Sequence, residues 1–322
     1  MANAPLHQKY NELIASCREL TPMRTAVVHP CDEVSLRSAI DAARADLIEP
    51  VLVGPSGRIH ALASAIGIDL SPYRIVDTVH SHASAASAVG LVGLGQVDAL
   101  MKGSLHTDEL LEQVISKPTG IRTERRLSHV FIMDVPTYHK ALFITDAAVN
   151  IFPTLEQKVD ILLNAISLAH SLGVEMPKVA VLSAVETVTS KIPSTLDAAA
   201  LCKMVDRGQI TGAVVDGPLA FDNAISKSAA AIKHLRSAVA GNADILMMPD
   251  LEAGNMLAKE LAFLAGADAA GIVLGARVPI ILTSRADNER TRMASCAVAV
   301  RYAHYARLPS IGTTAKREIP GA

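Results

Sequence analysis

The chain has 322 residues, of which 50% are hydrophobic and 19% are charged, and its formal net charge is −2. This balance is typical of a globular protein with a substantial core, and it excludes a strongly basic nucleic-acid-binding protein. With five Phe, five Tyr and no Trp, the chain also has few aromatic side chains on which single-stranded bases could stack.

Short apolar runs alternate with Ala-rich helical patterns along most of the chain. The predicted elements, in order, are helix 12–20, strand 25–30, helix 33–45, strand 49–55, helix 107–115, strands 129–135 and 140–146, helix 154–173, strands 177–183, 210–217 and 243–250, helix 253–266 and strand 278–282. A last helix is predicted to open at Asp287. Strands that alternate with helices predict an α/β protein with mainly parallel strands and right-handed crossovers.

The four cysteines (Cys17, Cys31, Cys202 and Cys296) are widely spaced and match neither a zinc site nor a disulfide framework. We interpret them as reduced thiols, mostly in the core, and none as a nucleophile. The N-terminal residues do not resemble a signal peptide, and no apolar run is long enough to span a bilayer. A cytoplasmic location is therefore expected.

The loop that follows the apolar strand 278–282 carries the strongest functional signal. Thr283, Ser284 and Arg285 stand directly after this strand and before the predicted helix. In an open α/β sheet, ligands bind where strands end and helices begin. A hydroxyl beside a guanidinium suits a phosphate or a developing oxyanion, since both accept hydrogen bonds from charged donors.

Other predicted loops also carry residues suited to anions. Lys102, Gly103 and Ser104 precede a predicted helix, where a glycine permits close backbone approach and a helix N-terminus favours phosphate. Four further residues, Arg122, Arg125, Arg126 and Ser128, precede strand 129–135, although such a charge run also suits a solvated surface.

Acidic and amide residues follow later strands, with Asp216 and Asp222 in one region and Asp250 and Asn255 in another. Each aspartate could be a helix N-cap. Their recurrence at strand ends indicates a cleft for a large polyanionic ligand. There is neither a GxGxxG motif after the first strand nor a P-loop, and His106, His129 and His139 are interpreted as structural.

Several segments together resemble the phosphate acetyltransferase and phosphate butyryltransferase family. They are MKGSLHT (101–107), LSHVFIM (127–133), TDAAVNIFPT (145–154), DGPLAFDNAIS (216–226), ADILMMPDLEAGNMLAKEL (243–261) and GADAAGIVLGARVPIILTSRADN (266–288). The resemblance covers the chain from about the first strand onward. The spacing between PDLEAGN and LTSR is highly specific.

The resemblance implies two α/β domains with a cleft between them, like the isocitrate and isopropylmalate dehydrogenases. Carried over, residues 1–137 and 275–322 form the first domain and residues 138–274 the second. The family also implies that CoA and phosphate, as acyl-CoA and acyl phosphate, are substrates, that no metal or cofactor is needed, and that the protein is a homodimer.

The implied reaction exchanges a short acyl group (acetyl, propionyl or butyryl) between CoA and inorganic phosphate by direct attack of the CoA thiol on the acyl phosphate. In this scheme Arg285 holds phosphate and polarises the carbonyl, and Ser284 donates to the tetrahedral oxyanion. Arg126 is a second phosphate ligand by its match to a family arginine. Ser128, Lys102, Gly103, Asp250 and Asn255 complete the expected substrate-binding set.

One position departs from the acetyltransferase pattern, in which an aspartate seven residues beyond the loop serine is the proposed base. Here that residue is Thr291, which cannot act as a base at neutral pH. Asp287, otherwise interpreted as the helix N-cap, or Glu289 would have to replace it, or CoA enters as the thiolate. The departure and the DGPLAFDNAIS segment place the chain nearer to the butyryltransferases.

Two alternatives remain open from the sequence. The first is a metal- and NAD(P)-dependent dehydrogenase on the same fold, with Asp216, Asp222 and Asp250 as metal ligands. The second is a CoA- or acyl-phosphate-binding protein with impaired turnover, which Thr291 keeps open.

Overall fold

The computed structural model describes residues 8–283 and 287–307. Ser284 and Arg285 lie outside the described residues. The helices in chain order are α1 (Gln8–Ala15), α2 (Glu33–Arg44), α3 (Ser56–Ile66), α4 (Ser81–Gly93), α5 (Thr107–Ile115), α6 (Leu155–Ser171), α7 (Pro193–Asp206), α8 (Phe221–Ile225), α9 (Lys227–Ile232), α10 (Leu251–Phe263) and α11 (Glu289–Arg307).

The described strands form one continuous sheet. They are β1 (Met23–Val28), β2 (Ile48–Gly54), β3 (Arg74–Asp77), β4 (Ala99–Lys102), β5 (Ser128–Asp134), β6 (Leu142–Thr145), β7 (Lys178–Leu182), β8 (Val214–Leu219), β9 (Ile245–Met247), β10 (Asp268–Leu274) and β11 (Ile280–Ile281). Their spatial order is β3-β2-β1-β4-β11-β10-β5-β6-β9-β7-β8.

The sheet is mainly parallel, with its antiparallel pairings gathered in the middle. These are β11 with β10, β10 with β5, and β5 with β6. Both flanks pair in parallel, from β3 to β11 on one side and from β6 to β8 on the other. The predicted α/β class is therefore confirmed, and so are the adjacent strands on either side of Pro136.

The register fixes which loops meet. Met101, Ile281, Ile272 and Val130 lie in one row across β4, β11, β10 and β5. Strands β4, β11 and β5 run in the same direction, so residues after Met101 and Ile281 lie on one side of this row. Residues before Val130 lie on the other side.

Both faces of the sheet are covered by helices, as expected when successive strand residues point to opposite faces. Leu36 and Ile40 of α2, Leu162 of α6 and Val298 of α11 belong to the largest buried cluster. A second cluster lies under α4 and α5, and a third contains residues of α10. Within the described part of the chain, no helix has the length and apolar character needed to cross a membrane.

Agreement with the predicted elements is close where the pattern is strongly amphipathic. Helix α5 has the predicted bounds, and α6 ends shortly before Gly173, which has a φ of +88°. Strands β3 and β10 and helix α3 were not predicted, whereas α4 and α7 were expected as helices without bounds. The division of the chain into domains near residues 137 and 274 stays a prediction.

Candidate active site

The strands β1, β4 and β11 finish at the same end of the sheet, here called the β11 end. Val28 pairs with Lys102, and Ile281 pairs with Met101. Lys102 and the loop that begins at Thr283 therefore leave the sheet side by side. This is the position at which parallel α/β sheets bind ligands.

Gly103 is required by the approach of another backbone segment, not only by a ligand. A Cβ on Gly103 would lie 2.3 Å from the main-chain oxygen of Val28. The Gly103 amide donates to that oxygen at 2.9 Å. Ser104 reinforces the contact, because its hydroxyl donates to the His29 carbonyl at 2.9 Å and accepts from the Cys31 amide at 3.1 Å. The turn that carries Lys102 is thus held rigidly against the end of β1.

The start of α11 corrects one expectation. The side chain of Asn288 accepts a hydrogen bond from the Thr291 amide at 2.9 Å, so Asn288 caps the helix. The interpretation of Asp287 as the N-cap is therefore wrong by one position. An amide oxygen at 288 has the geometry for the cap, and the Asp287 side chain is not occupied by that role.

Thr291 is buried within the first turn of α11, with 7% of its surface exposed. Its carbonyl accepts from the Ser295 hydroxyl at 2.7 Å. That hydroxyl also accepts from the Gly271 amide at 2.9 Å, which fixes α11 on β10. Thr291 therefore has a packing role.

The cysteines are free thiols, as predicted. Burial raises the pKa of Cys296 to about 12. Burial, assisted by Asp216, raises the pKa of Cys202 to about 11. Burial also raises the pKa values of Cys17 and Cys31. These shifts disfavour the thiolate, which is the nucleophilic form.

A second group of residues surrounds the carboxylate of Asp146, which is 2% exposed. One carboxylate oxygen accepts from the amides of Ala148 and Val149 at 2.9 and 3.0 Å. The other accepts from the Asn150 side chain at 2.5 Å and from the His129 amide at 3.3 Å. Asp146 therefore shapes the turn that follows β6.

Asn150 connects this turn to the predicted phosphate ligand Arg126. The Arg126 Nε donates to the Asn150 side-chain oxygen, while the Asn150 amide also donates to the Leu127 carbonyl at 2.8 Å. The Arg126 main-chain amide donates to Asp160 at 3.1 Å. Arg126 is thus held at both its main chain and its side chain, with its terminal guanidinium nitrogens beyond the Asn150 contact.

Ser128 is fully buried, and its hydroxyl accepts from the side chain of Asn164 at 2.8 Å. Asn164 also donates to the Arg126 carbonyl at 3.0 Å. Ser128 therefore contacts α6 in this structure, and its predicted contact with substrate stays a prediction. We call the set Arg126, Ser128, Asp146, Asn150 and Asn164 the Asp146 cluster.

Asp250 and Asn255 lie beside the Asp146 cluster and have protein partners. Asp250 is the N-cap of α10, where its carboxylate accepts from the Ala253 amide at 2.9 Å. Asn255 donates to the Ala147 carbonyl at 2.9 Å. Between them, a Cβ on Gly254 would lie 2.4 Å from the Asp146 carbonyl oxygen. The PDLEAGN segment thus seats α10 tightly on the turn after β6.

The structure separates the site candidates into two groups. Lys102, Gly103 and Asp287 are near the β11 end, whereas Arg126, Ser128, Asp250 and Asn255 are near Asp146. In the row that joins Ile281 to Val130 across the sheet, Ser128 lies two residues before Val130 and Thr283 lies two residues after Ile281. Ser128 and Thr283 are therefore offset by about 13 Å along the strand direction.

A cavity of about 910 Å³ begins beside Arg126 and continues along α5. Its charged lining residues are three arginines and five carboxylates: Arg122, Arg125, Arg126, Asp108, Glu112, Glu124, Glu156 and Asp160. The cavity therefore reaches from Arg126 to the first turn of α5, which begins five residues after Lys102.

His129 sits between the two groups. It is fully buried, and neither ring nitrogen makes a hydrogen bond of good geometry to any residue that the structure describes. Its ring packs edge-on against Phe131 with centroids 4.3 Å apart. Burial lowers the His129 pKa to about 4, although nearby Asp146 and the Leu282 carbonyl oppose that shift. The neutral ring fits the predicted structural role.

Sequence reasoning missed Asp146, Asn150, Asn164 and Arg292 as residues that shape these sites. The first two lie in the TDAAVN segment, which was noted only as a family resemblance. Nothing in their local pattern indicates that Asp146 bonds to His129 of β5, or that Asn150 bonds to Arg126 and Leu127 before that strand. Arg292 was missed because it falls inside a helical pattern next to the unexpected Thr291.

Comparison with solved structures defines the class of protein. The branched-chain phosphotransacylase from Enterococcus faecalis V583 has a TM-score of 0.76 and 30% sequence identity, covering 88% of this chain and 99% of that chain. A 4-hydroxythreonine-4-phosphate dehydrogenase from Klebsiella pneumoniae shares the fold alone, with a TM-score of 0.55 and 11% sequence identity, covering 88% of this chain and 99% of that chain. The fold is thus the dehydrogenase-like α/β fold that phosphotransacylases use.

Sequence comparison gives the family. Residues 79–300 match the family model described as "Phosphate acetyl/butaryl transferase". The phosphate acetyltransferase of Rhizobium meliloti is 62% identical over 92% of this chain and 93% of its own length. The phosphate butyryltransferase of Clostridium acetobutylicum strain ATCC 824 is 41% identical over 91% of this chain and 97% of its own length. The chain belongs to the phosphate acetyl/butyryl transferase family and is a transferase.

The comparisons also bear on two earlier expectations. Similarity to the Rhizobium meliloti acetyltransferase exceeds similarity to the Clostridium acetobutylicum butyryltransferase, opposite to the expected leaning. The dehydrogenase alternative is not favoured. Among residues 8–283 and 287–307, no group of three or more His, Cys, Asp or Glu side chains could hold a metal ion, and this holds for Asp216, Asp222 and Asp250.

Proposed function

We propose that acetyl is the preferred group in the exchange between CoA and inorganic phosphate, with propionyl and butyryl as slower substrates. The exchange itself follows from family membership. The preference for acetyl is supported by the 62% identity to a phosphate acetyltransferase. One methylene group changes discrimination by only about 1–3 kcal/mol, so a graded preference is expected.

The structural observation that supports acyl exchange at this end of the sheet is the pairing of β4 with β11. Through this pairing, Lys102 lies next to the strand end that leads to Thr283. A cation and a hydroxyl-bearing loop at one end of a sheet suit the anionic oxygens of an acyl phosphate.

In the direction of acyl-CoA synthesis, the CoA sulfur attacks the acyl carbonyl and the carbon–oxygen bond to phosphate breaks. The thiol proton leaves the sulfur and ends on the released phosphate, so that acyl phosphate and CoA give acyl-CoA and hydrogen phosphate. No cofactor is required for this balance. Holding both substrates together supplies much of the acceleration.

We propose that Arg285 binds the phosphate group and polarises the acyl carbonyl. Ser284 is proposed to donate a hydrogen bond to the developing oxyanion. Asp287 is the proposed acceptor of the thiol proton, because it is the carboxylate nearest in sequence to Ser284 and Arg285. Entry of CoA as the thiolate is the other route, and it needs no base.

Arg126, which lines the cavity along α5, is proposed to bind an anionic group of the substrates. The cavity along α5 offers a path for a long substrate such as CoA. Lys102 and Gly103 stay in the substrate-binding set, and we further propose a cytoplasmic homodimer.

The acyl preference is tested by measuring CoA release from acetyl-, propionyl- and butyryl-CoA with and without phosphate. The proposal expects phosphate-dependent release with kcat/KM falling in that order. A maximum at butyryl-CoA would overturn the acetyl assignment and leave the family reaction in place.

A further inference from the structure

A second cavity, here called the α1 cavity, lies between the sheet and the helices α1 and α11 and has a volume of about 300 Å³. Its floor is a row of side chains, Ala270, Ile132 and Phe143, which pair across β10, β5 and β6. This volume is at the lower end of the range for ligand pockets, so the cavity suits a small molecule. None of the candidate active-site residues belongs to its described lining, so it is separate from the cavity along α5.

The walls of the α1 cavity are mainly apolar. Ala294 and Val298 lie one turn apart on α11 and are buried, and Leu172 and Val174 follow the end of α6. Helix α1 contributes Leu13, although no residue of α1 is buried. A short hydrocarbon chain would be removed from water in this space, which is favourable in proportion to the apolar area that it buries.

Ion pairs already involve most of the charged groups around the α1 cavity. They join Lys9 to Asp134 at 2.5 Å, Lys140 to Asp244 at 2.8 Å and Arg290 to Asp268 at 3.3 Å. The exposed Glu12 accepts a hydrogen bond from the side chain of Gln8 at 2.7 Å. Since each carboxylate of the lining has a donor within the protein, none of them requires a cationic ligand.

Arg301 differs from the other two cations of the described lining, Lys9 and Lys140, because it forms no ion pair with any residue that the structure describes. One terminal nitrogen of its partly buried side chain donates to the Ser171 carbonyl at 3.1 Å. A guanidinium can bind a carboxylate through two parallel hydrogen bonds, and such charged bonds are stronger where water is partly excluded. The charge of the cavity is therefore complementary to a carboxylate.

We propose that the α1 cavity binds a small carboxylate with a short hydrocarbon chain. The carboxylate contacts Arg301, and the chain lies against Val298, Ile132 and Phe143. This site is additional to the acyl-exchange site and does not depend on the proposed function.

Isothermal titration calorimetry of the full-length protein with hexanoate tests the proposal. Hexylammonium and hexan-1-ol are matched probes, because they keep the chain and change only the headgroup. Hexanoate should bind saturably with a Kd roughly tenfold or more below that of either probe, since a hydrogen bond to a charged group contributes about 1.5–3 kcal/mol and 1.4 kcal/mol is about tenfold. Equal or tighter binding of hexylammonium, or no saturable binding of hexanoate, would overturn the proposal.

Three variants locate the bound hexanoate. Arg301→Met should weaken binding roughly tenfold or more, because it removes the guanidinium and keeps an apolar stem. Ala294→Leu should abolish binding, since leucine fills the cavity and keeps a high helix propensity. Arg126→Met changes the cavity along α5 and should bind hexanoate like the wild type.

Wild-type affinity in Arg301→Met would overturn the proposal. Loss of binding in Arg126→Met would also overturn it, because hexanoate would then occupy the cavity along α5. Arg301 is partly exposed, so Arg301→Met should fold and decides the result even if Ala294→Leu does not. Neither result changes the proposed function, which is tested separately by CoA release.

Discussion

The side-chain amide of Asn150 donates a hydrogen bond to the carboxylate of Asp146 at 2.5 Å. Through this bond, the turn after β6 orients the Asn150 oxygen toward the Nε of Arg126. The expected phosphate ligand before β5 is therefore held by a segment some twenty residues later in the chain. Rigid support of this kind reduces the entropy lost when a flexible cationic side chain binds an anion.

Replacing Arg126 by Lys should weaken substrate binding while the fold is kept. Lysine cannot keep a contact to Asn150 and present a planar fork at the same time. Hydrogen bonds to charged groups contribute about 1.5–3 kcal/mol, so kcat/KM for acetyl-CoA should fall roughly 10- to 100-fold. Arg125→Lys, in the same cavity, is the control. Equal effects of the two variants in steady-state kinetics would contradict the special role of Arg126.

Gly254→Ala should destabilise the protein, because the new methyl group would meet the Asp146 carbonyl oxygen at 2.4 Å. Overpacking of this kind costs about 1–3 kcal/mol. Gly90→Ala is the matched control, since Gly90 is exposed within α4 and has no atom within 4 Å of its Cβ position. It should gain roughly 0.5–1 kcal/mol. Urea unfolding measures both, and a Gly254→Ala protein as stable as the wild type would show that α10 is not tightly seated.

Two substitutions distinguish a helix-capping role of Asp250 from a substrate-binding role, because one removes only the charge and the other also removes the capping oxygen. Asp250→Asn keeps an N-cap oxygen, whereas Asp250→Ala removes it and should lower the free energy of unfolding by about 1 kcal/mol. If capping is its role, Asp250→Asn leaves both stability and kinetics near wild type. A large rise in KM for acetyl-CoA in Asp250→Asn would instead establish Asp250 as a substrate ligand.

Burial of His129 should make the protein less stable at acidic pH. Its pKa is lowered from 6.5 to about 4 in the folded protein by burial. Below pH 6.5 the unfolded chain binds a proton that the folded chain does not, so the free energy of unfolding falls as the pH drops from 6.5 toward 4. The loss is roughly 3 kcal/mol. His129→Leu should remove this part of the pH dependence and the exposed His60→Leu should keep it; identical profiles for the wild type and His129→Leu would refute the assignment.

The elements that could be predicted from the sequence are those with a strong pattern. Helix α5 places Leu110 and Val114 in the core at helical spacing, and its bounds were correct. Helix α4 has the Ala- and Ser-rich sequence SHASAASAVGLVG, which gives little amphipathic contrast. Strand β10 begins DAAG, residues with weak strand preference. Its antiparallel partners on both sides, rather than its own sequence, define it.

The candidate site was predictable to a similar extent. Lys102 and Gly103 could be recognised because a glycine before a helix marks a close backbone approach, and Val28 supplies that approach. The Asp146 cluster could not, because its bonds join residues far apart in sequence. Asp287 and Asn288 are adjacent and both suit an N-cap, so only the observed hydrogen bond from the Thr291 amide identifies Asn288 as the cap of α11.

We propose that Ser284 and Arg285 carry out acyl exchange between CoA and phosphate. The most direct measurement is phosphate-dependent CoA release from acetyl-CoA by the wild type, Arg285→Ala and the control Arg290→Ala. Arg290 is an exposed residue of α11, and its Nε lies 3.3 Å from the carboxylate of Asp268 in β10. We expect release by the wild type and Arg290→Ala, with kcat lowered at least 100-fold in a folded Arg285→Ala protein. Turnover near the wild-type rate in Arg285→Ala would contradict it.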